Sequence, residues 1–492
     1  MISGNILDFN KPYEIIESSP KIRGNFETVL GEKGTYIVPI IKINNNFYRE
    51  PTNEDLFIID IDGKKQEVNI LYSDRIHYLR IESINSKSKL TIHFSGNFSV
   101  GKPILKKAEK KRNKKLVLHL FVDALSQSVL EKHPKRGLNK TTTYFTENGC
   151  SFTNVYAQSE WTLTSIPTVL TGKYTCEHGI YHPRIPKIIQ EETIAEMYSK
   201  ENYRTFGAIS LPKMTPLYGF DKGFEKYVYH QFAPIDTIFS YAKDFVKAYE
   251  HDDLYLFLGI SDLHETHKLQ SQSCQVAFDI ENVKYKPLKG NSKTPQKEID
   301  SDRIERMLCH LEEVDEKLKE FIDYFEKQSD IELTVLLHSD HGISFASDNL
   351  ELLAQERIKV PVMFKHENIN KGTDSMVREL TDIKMSLKEL LDSKPYDNTF
   401  FSSSSGYAIT ESIYPGIPYR LTVRDENFTL FAEGNSDYLL NNNYDSFTLE
   451  FRLASQDDES ENLEISDVMS NLLGRVELHS ERLRKFSLGT DL

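Results

Sequence analysis

Three apolar runs in this sequence each end in an acid or an imidazole. Residues 116–122, LVLHLFV, run into Asp123; residues 254–260, LYLFLGI, lead to Asp262, His264 and His267; residues 333–337, LTVLL, lead to Asp340 and His341. Near-continuous apolar runs of this length read as strands buried on both faces. In open α/β sheets, ligands bind beyond the carboxyl ends of the strands, so these acids and histidines are expected at one edge. Carboxylates mixed with imidazole suit Zn²⁺ or Mn²⁺, whereas an all-oxygen set would suit Mg²⁺ or Ca²⁺.

A second stretch offers hydroxyls. Residues 159–183, SEWTLTSIPTVLTGKYTCEHGIYHP, hold Thr162, Thr164, Thr168, Thr171 and Thr175. A free threonine hydroxyl is a weak nucleophile; a bound cation lowers its pKa and aims its oxygen. The stretch reads as a loop turning into a helix, with Pro167 in the first turn, where proline is tolerated. Backbone N–H groups at such a terminus suit a phosphate or sulfate oxygen.

The elements that must position these groups are legible from periodicity. Residues 1–104 hold short runs rich in Ile, Tyr and Phe, punctuated by Gly, Asn, Asp and Ser, which predict a small β-sandwich. Residues 105–115 are a basic linker, expected to be a solvated connector. From residue 116 to about 435, buried strands alternate with helical patterns. In residues 302–327, Ile304, Met307, Leu308, Leu311, Val314, Leu318, Phe321, Ile322 and Phe325 fall at three- and four-residue steps. This predicts an α/β fold, a mostly parallel sheet sandwiched by helices. Residues 268–300 read as an inserted loop of the kind that forms a lid or binding element. Residues 436–492 form a C-terminal segment packing on the core, with an acidic stretch and a terminal amphipathic helix.

The formal charge of −14 is a poor basis for nucleic-acid binding. It leaves room for an anionic substrate in a local pocket. No run is apolar enough to span a membrane, and no signal peptide is visible. The four cysteines fit neither a zinc motif nor a disulfide framework, which suggests reduced thiols and a cytoplasmic location.

In order along the chain stand Asp123 after an apolar strand, a hydroxyl residue nine positions before the threonine of Leu170-Thr171-Gly172-Lys173, then His178-Gly179, and later Ser339-Asp340-His341-Gly342. Together these resemble the alkaline phosphatase superfamily, in its sulfatase-like, phosphodiesterase and phosphotransferase branches. The likeness covers roughly residues 115–490 and includes residues 381–391 and 411–428. It implies that Thr162 is the nucleophile, with Thr164 as fallback, and that Asp123, Thr162, Asp340 and His341 form one metal site. His264, in Asp262-Leu263-His264-Glu265-Thr266-His267, matches a family pattern with Thr266 in place of proline; in relatives that histidine contacts the transferred group or a second metal.

The departures from the family pattern narrow the chemistry. Sulfatases of the formylglycine type need Cys or Ser at the nucleophile position; threonine cannot give that aldehyde, and the accompanying Pro and Arg are missing. The resemblance therefore implies phosphoryl transfer through a phosphothreonine. One divalent ion, Zn²⁺ or Mn²⁺, is expected, with His264 and His267 binding substrate oxygens or acting as general acid and base. Trp161 can stack on substrate or pack in the core. Lys173, His178 and Arg184 can contact the anion or serve packing and the surface, and Asp262 is a further substrate-binding candidate. The substrate expected is a phosphorylated small molecule or glycan, in a hydrolase or a transferase that could serve surface-glycan assembly. The rival readings are a non-catalytic glycan- or partner-binding member of the family, and a sulfatase-like hydrolase without formylglycine.

Overall fold

Alternate residues of the strand Lys114–Val122 (β1) point to opposite faces, and both faces are dry. Leu116, Leu118, Leu120 and Val122 join one apolar cluster, and Val117 and Phe121 the other. The computed structural model describes residues 13–14, 24–42, 57–68, 76–83, 85, 87–94, 98–101, 103–105, 113–182, 187–263, 301–343, 353–402, 404–413, 419–434, 447–453, 472–476, 478–479 and 482. Within this set β1 is the centre of a nine-stranded sheet. The other strands are Cys150–Tyr156 (β2), Arg204–Ile209 (β3), Lys226–Tyr229 (β4), Leu254–Ile260 (β5), Ile331–His338 (β6), Lys359–Lys365 (β7), Gly372–Asp374 (β8) and Arg378–Glu379 (β9). Their order is β4-β3-β5-β1-β6-β7-β2-β8, with β9 also on β2.

All neighbours pair in parallel except those of β7, which runs against β6 and β2. The carboxyl ends of β1, β5, β6 and β2 therefore share one edge, as the apolar runs predicted. The register fixes which ends meet. Leu118 lies across from Leu256 on one side and Val335 on the other, so β1, β5 and β6 terminate nearly level.

Helices cover both faces. Ile235–Ala248 (α2) and Ser301–Glu326 (α3) bury Phe245, Leu318 and Phe321 against the Leu118 face. Thr162–Thr171 (α1) and Asp382–Asp392 (α4) bury Leu163, Ile166, Ile383 and Leu387 against the Phe121 face. His119 and His338 interrupt this second face, their rings 4.9 Å apart. Burial pushes both imidazoles below their ordinary value, His338 to about 4, so they sit uncharged in the core.

The N-terminal strands form two separate antiparallel sheets. Tyr36, Val38, Ile40 and Ile81 of one share a core with Phe57, Ile59, Leu90 and Ile92 of the other, giving the expected sandwich. It rests on the β4 side of the large sheet: Arg80 pairs with Glu250 at 2.7 Å, and the buried Lys226 ammonium lies 4.0 Å from the Tyr78 ring centre. A four-stranded antiparallel sheet follows the large one, built from Ala408–Ser412, Arg420–Arg424, Phe428–Gly434 and Phe447–Leu453. Most of the linker, the inserted loop 268–300 and the acidic stretch lie outside the described residues.

Because Leu118 is fully buried at the centre of the sheet, Leu118→Ala should cost about 2–5 kcal/mol. The unfolding midpoint in urea measures it; a loss under about 1 kcal/mol would mean that this face is not close-packed.

Candidate metal centre and active site

β1 and β6 are neighbours, with Phe121 across from His338, so their ends deliver Asp123 and Asp340 side by side. Asp123 extends the ladder by one more bond, its N–H donating to the Ile260 carbonyl at 2.9 Å. The chain then turns through Ala124, whose φ of 60° is left-handed and strained for a residue with a side chain. That turn aims two N–H groups back at the other strand end. Ala124 donates to Asp340 Oδ1 at 3.2 Å and Leu125 to Ser339 Oγ at 2.9 Å. Asp340 Oδ1 also accepts the His341 N–H at 2.8 Å. The next position must be glycine: a Cβ on Gly342 would stand 2.1 Å from the Glu356 carbonyl and 2.8 Å from Ser126 Cβ.

His341 donates from Nδ1 to the Gly342 carbonyl at 2.8 Å. This fixes the tautomer and leaves a lone pair on Nε2. Nε2 lies 3.3 Å from Asp340 Oδ2, 3.7 Å from Asp123 Oδ1 and 3.3 Å from Thr162 Oγ1. Both of those carboxylate oxygens are buried and make no hydrogen bond among the described residues. Two carboxylate oxygens and one imidazole lone pair, all within 4.8 Å of one another, form a set of three acceptors of the kind that holds a divalent cation. Burial pushes the Asp123 carboxyl well above its usual range, the Asp340 charge adds to this, and a hydrogen bond from Thr162 offsets it only in part.

Thr162 opens α1, and Trp161 before it places no side-chain cap on the helix. The first-turn N–H groups are therefore left for another acceptor. One turn on, Ser165 Oγ donates to the Asp340 carbonyl at 2.7 Å and ties this helix end to the Asp-His-Gly turn. The other threonines of the stretch are committed elsewhere or sit farther along. Thr164 is buried and bonds Ser159 and the Trp161 carbonyl. Thr168 and Thr171 bond carbonyls one turn back. Pro167 is not in the first turn as expected; the helix already begins at Thr162, and its first backbone bond, Ser165 N–H to Trp161 O, precedes the proline.

The remaining candidates are more dispersed. Trp161 is half-buried against the core on the α1 face. Lys173 is exposed, with its ammonium 3.8 Å from Glu177. His178 is buried, accepts the Ile180 N–H on Nδ1 at 3.1 Å and meets Thr168 Oγ1 at 3.2 Å, and burial lowers its pKa to about 4. Asp262 receives the first N–H of α2, from Ile235, at 3.2 Å, and burial raises its pKa to about 6. Arg184, His264 and His267 lie outside the described residues. Ser165 and Ser339 were not read from the sequence as part of the site. Ser165 carried a usable signal, since it stands three positions after Thr162 and so shares a helix face with it.

The raised Asp123 pKa gives a signed pH dependence. An acid bound more tightly by a proton in the folded state stabilises the fold only while protonated. Chelator-treated protein should therefore lose stability as pH rises from acid towards neutral. Asp123→Asn should flatten that slope and raise the neutral-pH Tm of metal-free protein. Calorimetry of metal-free protein from acid to neutral pH tests this; a wild type whose stability rises with pH over that span would contradict it.

No curated protein matches the chain by sequence. Among solved structures, BT4656, in complex with its substrate D-glucosamine-2-N,6-O-disulfate, superposes with a TM-score of 0.53 at 12% identity, covering 78% of this chain and 100% of its own. BT1596, a 2-O GAG sulfatase, gives 0.53 at 13%, covering 76% and 93%. A protein of the alkaline phosphatase superfamily from Vibrio parahaemolyticus gives 0.51 at 13%, covering 78% and 90%. At these identities the likeness is one of fold. The family model for sulfatases matches residues 115–421, from the linker's end through β1, α1 and the Asp-His-Gly turn into the C-terminal four-stranded sheet. The chain belongs to the sulfatase family, and it has the fold of the Vibrio protein's superfamily, whose members include hydrolases that bind divalent metal ions.

Proposed function

We propose that the protein is a metal-dependent phosphoryl-transfer enzyme, a phosphodiesterase, phosphatase or phosphotransferase, acting through a phosphothreonine at Thr162. The observation that carries this reading is the half-exposed Thr162 hydroxyl, 3.3 Å from His341 Nε2 beside two buried carboxylates. A hydroxyl aimed there, at an uncapped helix end, is placed to attack a tetrahedral anion. Threonine, unlike cysteine or serine, gives no formylglycine, which favours direct attack by oxygen over aldehyde-hydrate chemistry.

Asp123, Asp340 and His341 would hold the cation. When bound, the ion lowers the pKa of the Thr162 hydroxyl and offsets charge on the transferred group. Thr162 Oγ attacks phosphorus in line, its bond to phosphorus forms, and the bond to the leaving oxygen breaks. The hydroxyl proton has an acceptor at hand in the Asp123 carboxylate, which the Thr162 hydroxyl already meets. The free N–H groups of the α1 first turn bind the equatorial oxygens. We assign to His264 or His267 protonation of the leaving oxygen, and then activation of the acceptor. Water as acceptor makes a hydrolase; a sugar hydroxyl makes a transferase. The substrate we favour is a substituted phosphate on a small molecule or glycan.

Turnover of bis-p-nitrophenyl phosphate and p-nitrophenyl sulfate by metal-loaded protein tests the reading. The phosphate diester should react faster. Thr162→Ala should lower its kcat/KM by on the order of 10³-fold or more, and Thr162→Ser should restore part of it. A faster sulfate reaction, or a Thr162→Ala variant of undiminished rate, would remove the proposal. Protein inert towards both esters, with no metal bound, would favour the binding-module reading.

A further inference from the structure

Away from the strand ends, three side chains of metal-ligating type converge where the C-terminal four-stranded sheet meets the helices. Cys176 sits on the short helix Thr175–His178, which follows α1 after the left-handed Gly172. Glu411 lies on the strand Ala408–Ser412, and His479 belongs to the C-terminal helical residues. Cys176 is 3% exposed, and Glu411 and His479 are fully enclosed. Their surroundings are apolar and aromatic: Tyr174, Tyr181, Ile409, Tyr419 and Leu421 line the same cluster.

The spacing of the ligand atoms is that of a coordination shell. His479 Nε2 is 3.1 Å from Glu411 Oε2 and 3.8 Å from Cys176 Sγ, and all three groups fit within 4.8 Å. Around tetrahedral zinc, with bonds of about 2.0–2.1 Å to N or O and 2.3 Å to S, the same pairs stand about 3.3 and 3.6 Å apart. Charge closes as well. A thiolate and a carboxylate neutralise one divalent ion, with a neutral imidazole as third ligand, so the ion and its ligands together would carry no net charge.

We propose that Cys176, Glu411 and His479 form a second, structural Zn²⁺ site, distinct from the Asp123 centre and independent of the phosphoryl-transfer reading. Thiolate with imidazole and carboxylate selects zinc over Mg²⁺ or Ca²⁺. Binding releases the thiol proton, and the single ring proton of the neutral His479 imidazole passes from Nε2, now a ligand, to Nδ1. Arg482 Nη1 stands 3.4 Å from Nδ1 and its guanidinium 4.6 Å from the Tyr174 ring centre; the aromatic face is where it remains once Nδ1 is a donor. Without zinc, Glu411 takes hydrogen bonds from the Cys176 N–H at 2.9 Å, from Tyr419 at 3.0 Å and from His479. That arrangement is the competitor. The ion would tie the C-terminal helical residues and the C-terminal four-stranded sheet to the helix just behind α1, and so brace the element that carries Thr162.

Cobalt substitution of the full-length protein decides between the two. A thiolate ligand gives Co²⁺ a near-ultraviolet charge-transfer absorption, and the Asp123 centre contains no sulfur. The absorption should appear in metal-free protein titrated with Co²⁺ and survive Asp123→Asn with Asp340→Asn. It should vanish in Cys176→Ala, along with roughly one zinc per chain measured by mass spectrometry of the metal. A chain in which Cys176 is the sole cysteine covers the case where Cys176→Ala does not fold; there the absorption must persist. Its absence from the wild type, or its persistence in Cys176→Ala, overturns the site.

Discussion

Two carboxylates share a water-poor edge of the sheet, and most of the local architecture bears on that fact. Asp123 and Asp340 are both buried, and each has an oxygen without a hydrogen bond among the described residues. Like charges this close disfavour each other's ionisation, and burial adds to the penalty. Either one carboxyl keeps a proton or a cation sits between them. The protein holds the arrangement rather than relaxing it, with a left-handed Ala124, two N–H groups from the β1 end turned onto the β6 end, and a glycine where no Cβ fits. Such strain costs on the order of 1–3 kcal/mol per residue, and it makes sense where an ion repays it.

The same constraint explains why α1 begins where it does. Its first residue brings a hydroxyl to the imidazole lone pair, and Ser165 one turn later anchors the helix to the Asp340 carbonyl. Leu163 and Ile166 of the same helix pack into the core against the sheet. Packing thus fixes the helix from below and the serine from above. Thr162 is left half-exposed at the junction, at a helix end without a side-chain cap. A hydroxyl on a free loop would lack this aim.

Much of this was written plainly in the sequence. The strands β1, β5 and β6 announced themselves as apolar runs because both faces are covered by helices, and α3 did so by its three- and four-residue steps. Asp123, Asp340 and His341 were readable as strand-end residues. The start of α1 was not, because Pro167 drew attention to the wrong turn; a helix tolerates an interior proline when packing on both sides holds it. Asp262 also ends a strand, yet its carboxylate receives the N-terminus of α2, a use that strand-end position alone does not separate from ligand binding. The Cys176, Glu411 and His479 group left no local pattern at all. Its members come from a helix, a strand and the far C-terminal residues, and only tertiary packing unites them.

The central claim is that Thr162 becomes covalently bonded to phosphorus. Intact mass spectrometry of metal-loaded protein, acid-quenched during turnover of bis-p-nitrophenyl phosphate, reads this directly. The account predicts an adduct with the mass of the p-nitrophenyl phosphoryl group, mapping to the peptide that contains Thr162 and absent from Thr162→Ala. Steady turnover by wild type with the adduct on another residue, or an equal adduct in Thr162→Ala, would contradict it.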